Sequence, residues 1–181
     1  MCSLKCLKIM SYNSKEEYEA QVKAFQEVYP DFKPAKDIEV LNLIMTRKNA
    51  KEILEGKKKV EYRAYSEHYV SRLYDKNVTS FIAKHQDEES VVEAQIDGIV
   101  DALRIVRKIH FHDYNNTWYL DVDVCVNDEV TVQKEDMDML HQEWDSHDLD
   151  ELFKTLETNK AKDRPVFFFF VIDKIVDTNL K

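Results

Sequence analysis

Hydrophobic residues along the chain follow two different spacings, which together predict a protein of the α+β class. Alternation of apolar and polar residues over 118–126 is typical of a strand with one face on the core, and a turn is expected after it at 127–129. A continuous apolar run over 166–172 has no alternation and predicts a strand that is buried on both faces. Shorter apolar runs predict further strands at 39–45, 77–84, 105–112 and 130–132.

Other segments repeat apolar residues every three to four positions, which predicts amphipathic helices. The first of these helices is expected over 14–29. A helix is also predicted over 92–103, with Gly98 in its interior, although 99–106 could equally extend the following strand. We expect Asp148 to cap the last helix of the chain. The remaining helices are predicted at 64–74 and, as a pair broken near Ser146, at 135–158.

The stretch 43–65 joins a predicted strand, a short helix and a second, highly charged strand. Thr46 can cap the helix, because its hydroxyl can accept a hydrogen bond from a backbone N–H of the first turn. Gly56, one of only two glycines in the chain, is expected at the end of the helix with a positive φ. Val60 and Tyr62 would then lie on one face of the charged strand.

Five charged residues are concentrated in this strand and in the turn before it: Lys57, Lys58, Lys59, Glu61 and Arg63. Strand alternation places Glu61 and Arg63 on the same face, while Lys58 shares the apolar face unless the chain after Gly56 is not yet regular strand. One interpretation is an exposed edge strand, on which lysines oppose aggregation and Glu61 pairs with Arg63. The other is a functional site.

Charge is distributed unevenly along the 181 residues, whose net charge is −9. Residues 47–63 carry seven basic and three acidic side chains, a net charge of +4, on an otherwise strongly acidic chain. This net charge argues against tight binding to nucleic acid without regard to sequence, because Lys and Arg must neutralise the phosphates. A local positive site favours a small anionic or nucleotide-sized ligand instead.

The bulk properties predict a soluble, cytoplasmic protein. Apolar residues make up 44% of the chain, and no stretch has the roughly 20 consecutive apolar residues that span a bilayer. No signal peptide is expected at the N-terminus. Cys2, Cys6 and Cys125 are expected to be reduced thiols.

The order Gly56-x-Lys58-x-x-Glu61-x-Arg63 resembles the G-x-K-x-x-E-x-R motif of the ASCH domain family, part of the PUA-like superfamily of small β-barrels. The resemblance extends over roughly residues 40–176. It implies a PUA-like β-barrel of five to seven strands with flanking helices and a cleft lined by the motif. The chain would then comprise an N-terminal helical extension, 1–38, and an ASCH/PUA-like domain, 39–181.

The same resemblance implies that the protein binds RNA or a nucleotide-like small molecule. The ligand-binding residues would be Gly56, Lys58, Glu61, Arg63 and Tyr65, the last because aromatic faces stack on bases. The pattern around Tyr65 favours a half-buried packing residue as the alternative.

An alternative function is that of an amidohydrolase or nuclease acting on a modified nucleoside or RNA, with Lys58 and Glu61 as catalytic residues. One subgroup of the family hydrolyses acetylated cytidine with the motif lysine and a carboxylate, and has threonine at the position that matches Glu61. The glutamate here departs from that pattern. It also favours the charged form of the neighbouring lysine, which then acts as an anion-binding charge. A third alternative is a protein-interaction module that uses the N-terminal helix.

Two histidines, His110 and His112, lie two residues apart on one predicted strand face, as paired metal ligands do. The sequence places no third ligand beside them, although Cys125, His141 and His147 are candidates. We therefore expect no metal and no cofactor.

Overall fold

The computed structural model describes residues 15–181. Residue 14, at the start of the first predicted helix, and Cys2 and Cys6 lie outside that range. Seven helices occur in it: α1 (Lys15–Val28), α2 (Arg47–Leu54), α3 (Glu67–Leu73), α4 (Lys76–Lys84), α5 (Glu89–Ile96), α6 (Lys134–Trp144) and α7 (Asp150–Thr158). Five strands occur in it: β1 (Leu41–Ile44), β2 (Val60–Ala64), β3 (Lys108–His112), β4 (Tyr119–Thr131) and β5 (Val166–Thr178).

The described chain divides into two compact units. One comprises 39–66 and 106–181 and holds the five strands with α2, α6 and α7. The other comprises 15–38 and 67–105, holds the other four helices, and has a core that includes Phe32, Val78 and Phe81. The predicted division of the chain at residue 38 stays a prediction.

The five strands form one sheet, in the order β1-β3-β4-β5-β2, which curls into a half-barrel. β1 runs parallel to β3, and the other neighbouring strands are antiparallel. β1 and β2 are therefore the two edge strands. The α+β prediction is confirmed, while the PUA-like character of the barrel stays a prediction.

Strand β5 lies inside the sheet, between β4 and β2. Its residues Phe168 to Val171 are all buried, which confirms the strand predicted from the unbroken apolar run. On one face of the sheet, Phe169 and Val171 share a hydrophobic cluster with Met137 and Leu140 of α6. The paired helices predicted at 135–158 thus cover this face.

Strand β4 differs from the prediction in its length. It continues to Thr131, through the turn expected at 127–129, and its pairing with β5 extends from Leu120 to Thr131. The pairing register shifts between Val124 and Val126, so the alternation breaks at a bulge. Beyond it, Asn127 is buried and its Oδ1 accepts a hydrogen bond from the backbone N–H of Val106 at 2.8 Å.

Two predictions in the helical unit are wrong. The strand expected at 77–84 is α4, which the side chain of Asp75 caps by accepting from the N–H of Asn77 at 2.9 Å. The helix expected over 92–103 ends at Ile96, because Gly98 adopts a φ of 74° and turns the chain out of the helix.

In residues 15–181, none of the helices combines the length and the apolar character needed to cross a bilayer.

Candidate functional site

The turn between α2 and β2 determines how the motif residues are presented. Thr46 caps α2 as predicted, and Gly56 ends it with a φ of 71°. The N–H groups of Lys57 and Lys58 both donate to the carbonyl oxygen of Glu52, at 2.8 and 3.1 Å. These two lysines thus belong to a turn wrapped on the end of the helix, and β2 begins only at Val60. Strand alternation therefore does not determine the direction of the Lys58 side chain.

Glu61 lies at the centre of the charged residues and is only 5% exposed. Its Oε1 is 2.8 Å from Nη2 of Arg63, and its Oε2 is 3.7 Å from Nζ of Lys58. Burial raises the pKa of the Glu61 carboxyl above its usual range, while the nearby charges of Arg63 and Lys58 oppose that rise. Each carboxylate oxygen therefore faces one cation.

Lys58 also contacts side chains that are not part of the motif. Its ammonium also binds the carboxylate of Asp148 and lies 5.7 Å from the centre of the Tyr62 ring. The side chain is 12% exposed. Asp148 was expected to cap the last helix, and that prediction is wrong: the residue before α7 is Leu149, and no side chain caps it. We call Lys58, Glu61, Arg63 and Asp148 the β2 charge cluster.

The loop 145–149, between α6 and α7, is joined to the motif strand by two further contacts. Nζ of Lys59 donates to Asp145 at 2.8 Å, and the hydroxyls of Tyr62 and Ser146 lie 2.7 Å apart. Burial raises the pKa of the Tyr62 hydroxyl above its usual value. With the Asp148 contact, three of the five loop residues bind side chains of 58–62.

Arg63 connects the two edges of the sheet. Its Nη2 donates to the carbonyl oxygen of Ile44, the last residue of β1, at 3.0 Å. Because β1 and β2 are the edge strands, this bond links the two ends of the curled sheet. The guanidinium thus holds both the buried carboxylate and the opposite edge.

Tyr65 follows β2 directly and is 46% exposed. Its ring stacks on Phe168, with centroids 5.1 Å apart and an interplanar angle of 17°. Phe168 is also the residue opposite Arg63 in the β2–β5 pairing. The exposed tyrosine ring therefore stands next to the β2 charge cluster.

Of the residues predicted for the site, the structure brings Lys58, Glu61 and Arg63 into contact and places Tyr65 beside them. Gly56 contributes through its backbone, because its positive φ allows the turn that presents Lys58. Sequence reasoning missed Asp148, which lies 90 residues from Lys58 along the chain.

The histidines that the sequence suggests as metal ligands belong to different parts of the site-bearing unit, with His141 and His147 in one group and His110 and His112 outside it. Nδ1 of His110 lies 2.5 Å from Oδ1 of Asp121, beside a cavity of about 430 Å³, and Nδ1 of His112 donates to the carbonyl oxygen of Asp113. Among the described residues, the one group of three metal-ligating side chains is His141, His147 and Asp150. Neither His110 nor His112 belongs to it.

Comparisons with protein-family models, with curated proteins and with solved structures gave no match.

Proposed function

We propose that the protein is an ASCH-like, PUA-like domain that binds RNA or a nucleotide-like ligand at the β2 charge cluster and Tyr65. The observation that carries this proposal is the burial of Glu61 between two cations, at the point where the edge strands meet. Removing charges from water is costly, and hydrophobic residues of similar size often stabilise a fold better. Carboxylates with shifted pKa values, held by specific partners, are concentrated at functional sites.

The side chains offer complementary groups to a nucleotide. Arg63 and Lys58 supply cationic donors for phosphate or for base carbonyl oxygens. The exposed ring of Tyr65, already parallel to Phe168, offers a face on which a base can stack. The stretch 47–63 carries a net charge of +4, which attracts an anionic ligand to this part of an acidic protein, while the β2 charge cluster itself holds two cations and two carboxylates.

The geometry favours binding over catalysis by lysine. A lysine that acts as a nucleophile or base must lose its proton, and Lys58 contacts two carboxylates, Glu61 and Asp148, that stabilise the ammonium. Lys58 therefore acts as a fixed positive charge in this proposal.

The function is tested by replacing Tyr65 with alanine. We expect an eight-nucleotide single-stranded RNA to bind the wild type weakly, and Tyr65→Ala to weaken binding by roughly tenfold, because stacking contributes about 1–3 kcal/mol per base. Fluorescence polarisation of the labelled RNA measures this, and affinity should fall as salt rises.

Tyr114 provides the matched control, since it is 84% exposed in a turn outside the cluster. Tyr114→Ala should bind as the wild type does. Equal loss in both variants, or no binding to RNA or to nucleoside monophosphates at low salt, would show that the proposed site is wrong.

A turnover assay separates the binding function from the hydrolase alternative. Incubation of the protein with acetylated cytidine is expected to release no cytidine above the rate of a protein-free control, because two carboxylates already bind the amino group of Lys58. Chromatography of the nucleosides measures the product. Release that disappears in Lys58→Arg would instead make the protein an amidohydrolase.

A further inference from the structure

Three metal-ligating side chains converge where α6 passes into α7. His141 is in the last turn of α6, His147 is in the loop 145–149, and Asp150 is the first residue of α7. Nε2 of His141 is 2.6 Å from one oxygen of Asp150, and Nδ1 of His147 is 2.9 Å from the other. The three side chains can place ligand atoms within 4.8 Å of one another.

The two imidazole rings are stacked, with centroids 4.4 Å apart and an interplanar angle of 27°. This arrangement directs one nitrogen of each ring toward the same carboxylate. A tetrahedral zinc ion with bonds of about 2.0–2.2 Å separates its ligand atoms by roughly 3.3 Å. The two nitrogen–oxygen distances, 2.6 and 2.9 Å, would each have to lengthen by roughly 0.4–0.7 Å to admit the ion.

The donor set indicates which kind of cation would bind. Two imidazoles and one carboxylate suit a divalent transition-metal ion, whereas Mg²⁺ and Ca²⁺ prefer sites built from oxygen. Three protein ligands leave a fourth position for water. Asp145, whose Oδ1 is 3.8 Å from Nε2 of His147, adds negative charge nearby.

We propose that His141, His147 and Asp150 bind a divalent transition-metal ion of the zinc type, which fixes the loop 145–149. The loop is the element that supplies Asp148 to Lys58 and Ser146 to Tyr62. Because Asp148 lies between two of the ligands, the ion would hold its backbone in place. The ion would therefore position the loop that supplies Asp148 to the β2 charge cluster. This role does not depend on whether the cluster binds RNA.

Cobalt(II) is the probe for the site. Titration of the full-length, chelator-treated protein with Co²⁺ should give the intense visible absorption of a four-coordinate ion, saturating at about one equivalent, and Zn²⁺ should displace it. His147→Ala and Asp150→Asn should each weaken Co²⁺ binding at least tenfold. His147 is more than half exposed, so its replacement leaves the core intact.

His110→Ala is the matched control, because it removes a histidine that also pairs with an aspartate but is not part of the three-ligand group. It should bind Co²⁺ as the wild type does. A near-ultraviolet thiolate band would assign the ion to cysteine instead. The proposal fails if no stoichiometric band forms, or if His147→Ala retains it.

Hydrogen exchange tests the positioning role. Zn²⁺ should slow exchange of the amides in 145–149 in the wild type and in His110→Ala, and leave it unchanged in His147→Ala. If Zn²⁺ binds at these ligands without slowing exchange in the loop, the ion does not fix the loop and the positioning role is wrong.

Discussion

Replacing Phe169 with alanine is expected to lower the free energy of unfolding by about 3–5 kcal/mol. Phe169 is 3% exposed and packs in the cluster that joins β5 to α6. Its backbone pairs with Tyr62 of β2 and with Asp128 of β4, so neighbouring strands restrict collapse around the missing ring. The loss combines the transfer free energy of the ring with the cavity it leaves. Urea denaturation followed by circular dichroism measures it.

Ile175 offers a control on the same strand, since it lies beyond the buried run and is 38% exposed. Ile175→Ala should cost less than about 1.5 kcal/mol, because less apolar surface leaves the core. Similar losses at the two positions would contradict a core centred on the phenylalanine run. This comparison tests the packing of β5 against α6 directly.

Local rules were sufficient where a feature depends on residues close together in the chain. The run 166–172 predicted a buried strand because a strand covered on both faces has no need to alternate. Thr46 and Gly56 were assigned correctly, since a cap and a helix end are decided by a few neighbouring residues.

The errors arose where a pattern suits more than one structure. Val78, Phe81 and Ile82 suggested a strand, yet their spacing also fits one side of a helix, and Asp75 supplies the cap that starts it. In β4, the sequence predicts a turn at Asn127, which is buried in the strand. Its role depends on the bulge and on a bond to Val106, 21 residues earlier, which no local spacing reveals.

In the candidate site too, the contact between residues close in sequence could be predicted, and the contacts between distant residues could not. Glu61 and Arg63 could be placed together because strand alternation puts residues two apart on one face. Asp148 and the carbonyl oxygen of Ile44 reach the cluster only through the tertiary fold. The contacts of Asp148 with Lys58 and of Asp145 with Lys59 join residues 90 and 86 positions apart, and they could not be inferred from the sequence.

Removal of the Arg63 guanidinium is expected to cost about 3 kcal/mol at neutral pH, although Arg63 is on an edge strand. Arg63→Met preserves much of the apolar stem but leaves Glu61 buried with its remaining cation 3.7 Å away. The change also removes the donor to Ile44 that links β2 to β1. Urea denaturation of wild type and variant at pH 7 measures the difference.

Lys134→Met is the control, because Lys134 and Asp138 form an exposed ion pair on α6. Water screens such an exposed pair, so this variant should be about as stable as the wild type. The double variant Glu61→Gln/Arg63→Met should recover part of the loss, since it no longer buries an uncompensated carboxylate. If Arg63→Met is as stable as the wild type, the guanidinium does not compensate the buried charge.

The loss of stability caused by Arg63→Met should also depend on pH, and the ionisation of Glu61 determines how. Burial already raises the pKa of Glu61 above its ordinary value of 4.5, and loss of the Arg63 charge raises it further. A carboxyl whose pKa is higher in the folded state binds a proton more tightly there, so its contribution to stability is complete below pH 4.5 and is lost as the pH rises through the folded pKa. The difference between wild type and variant should therefore be largest at pH 7 and smaller near pH 4.5, where protonated Glu61 needs no cation. A difference that stays constant between these pH values would mean that the loss comes from the Ile44 link alone.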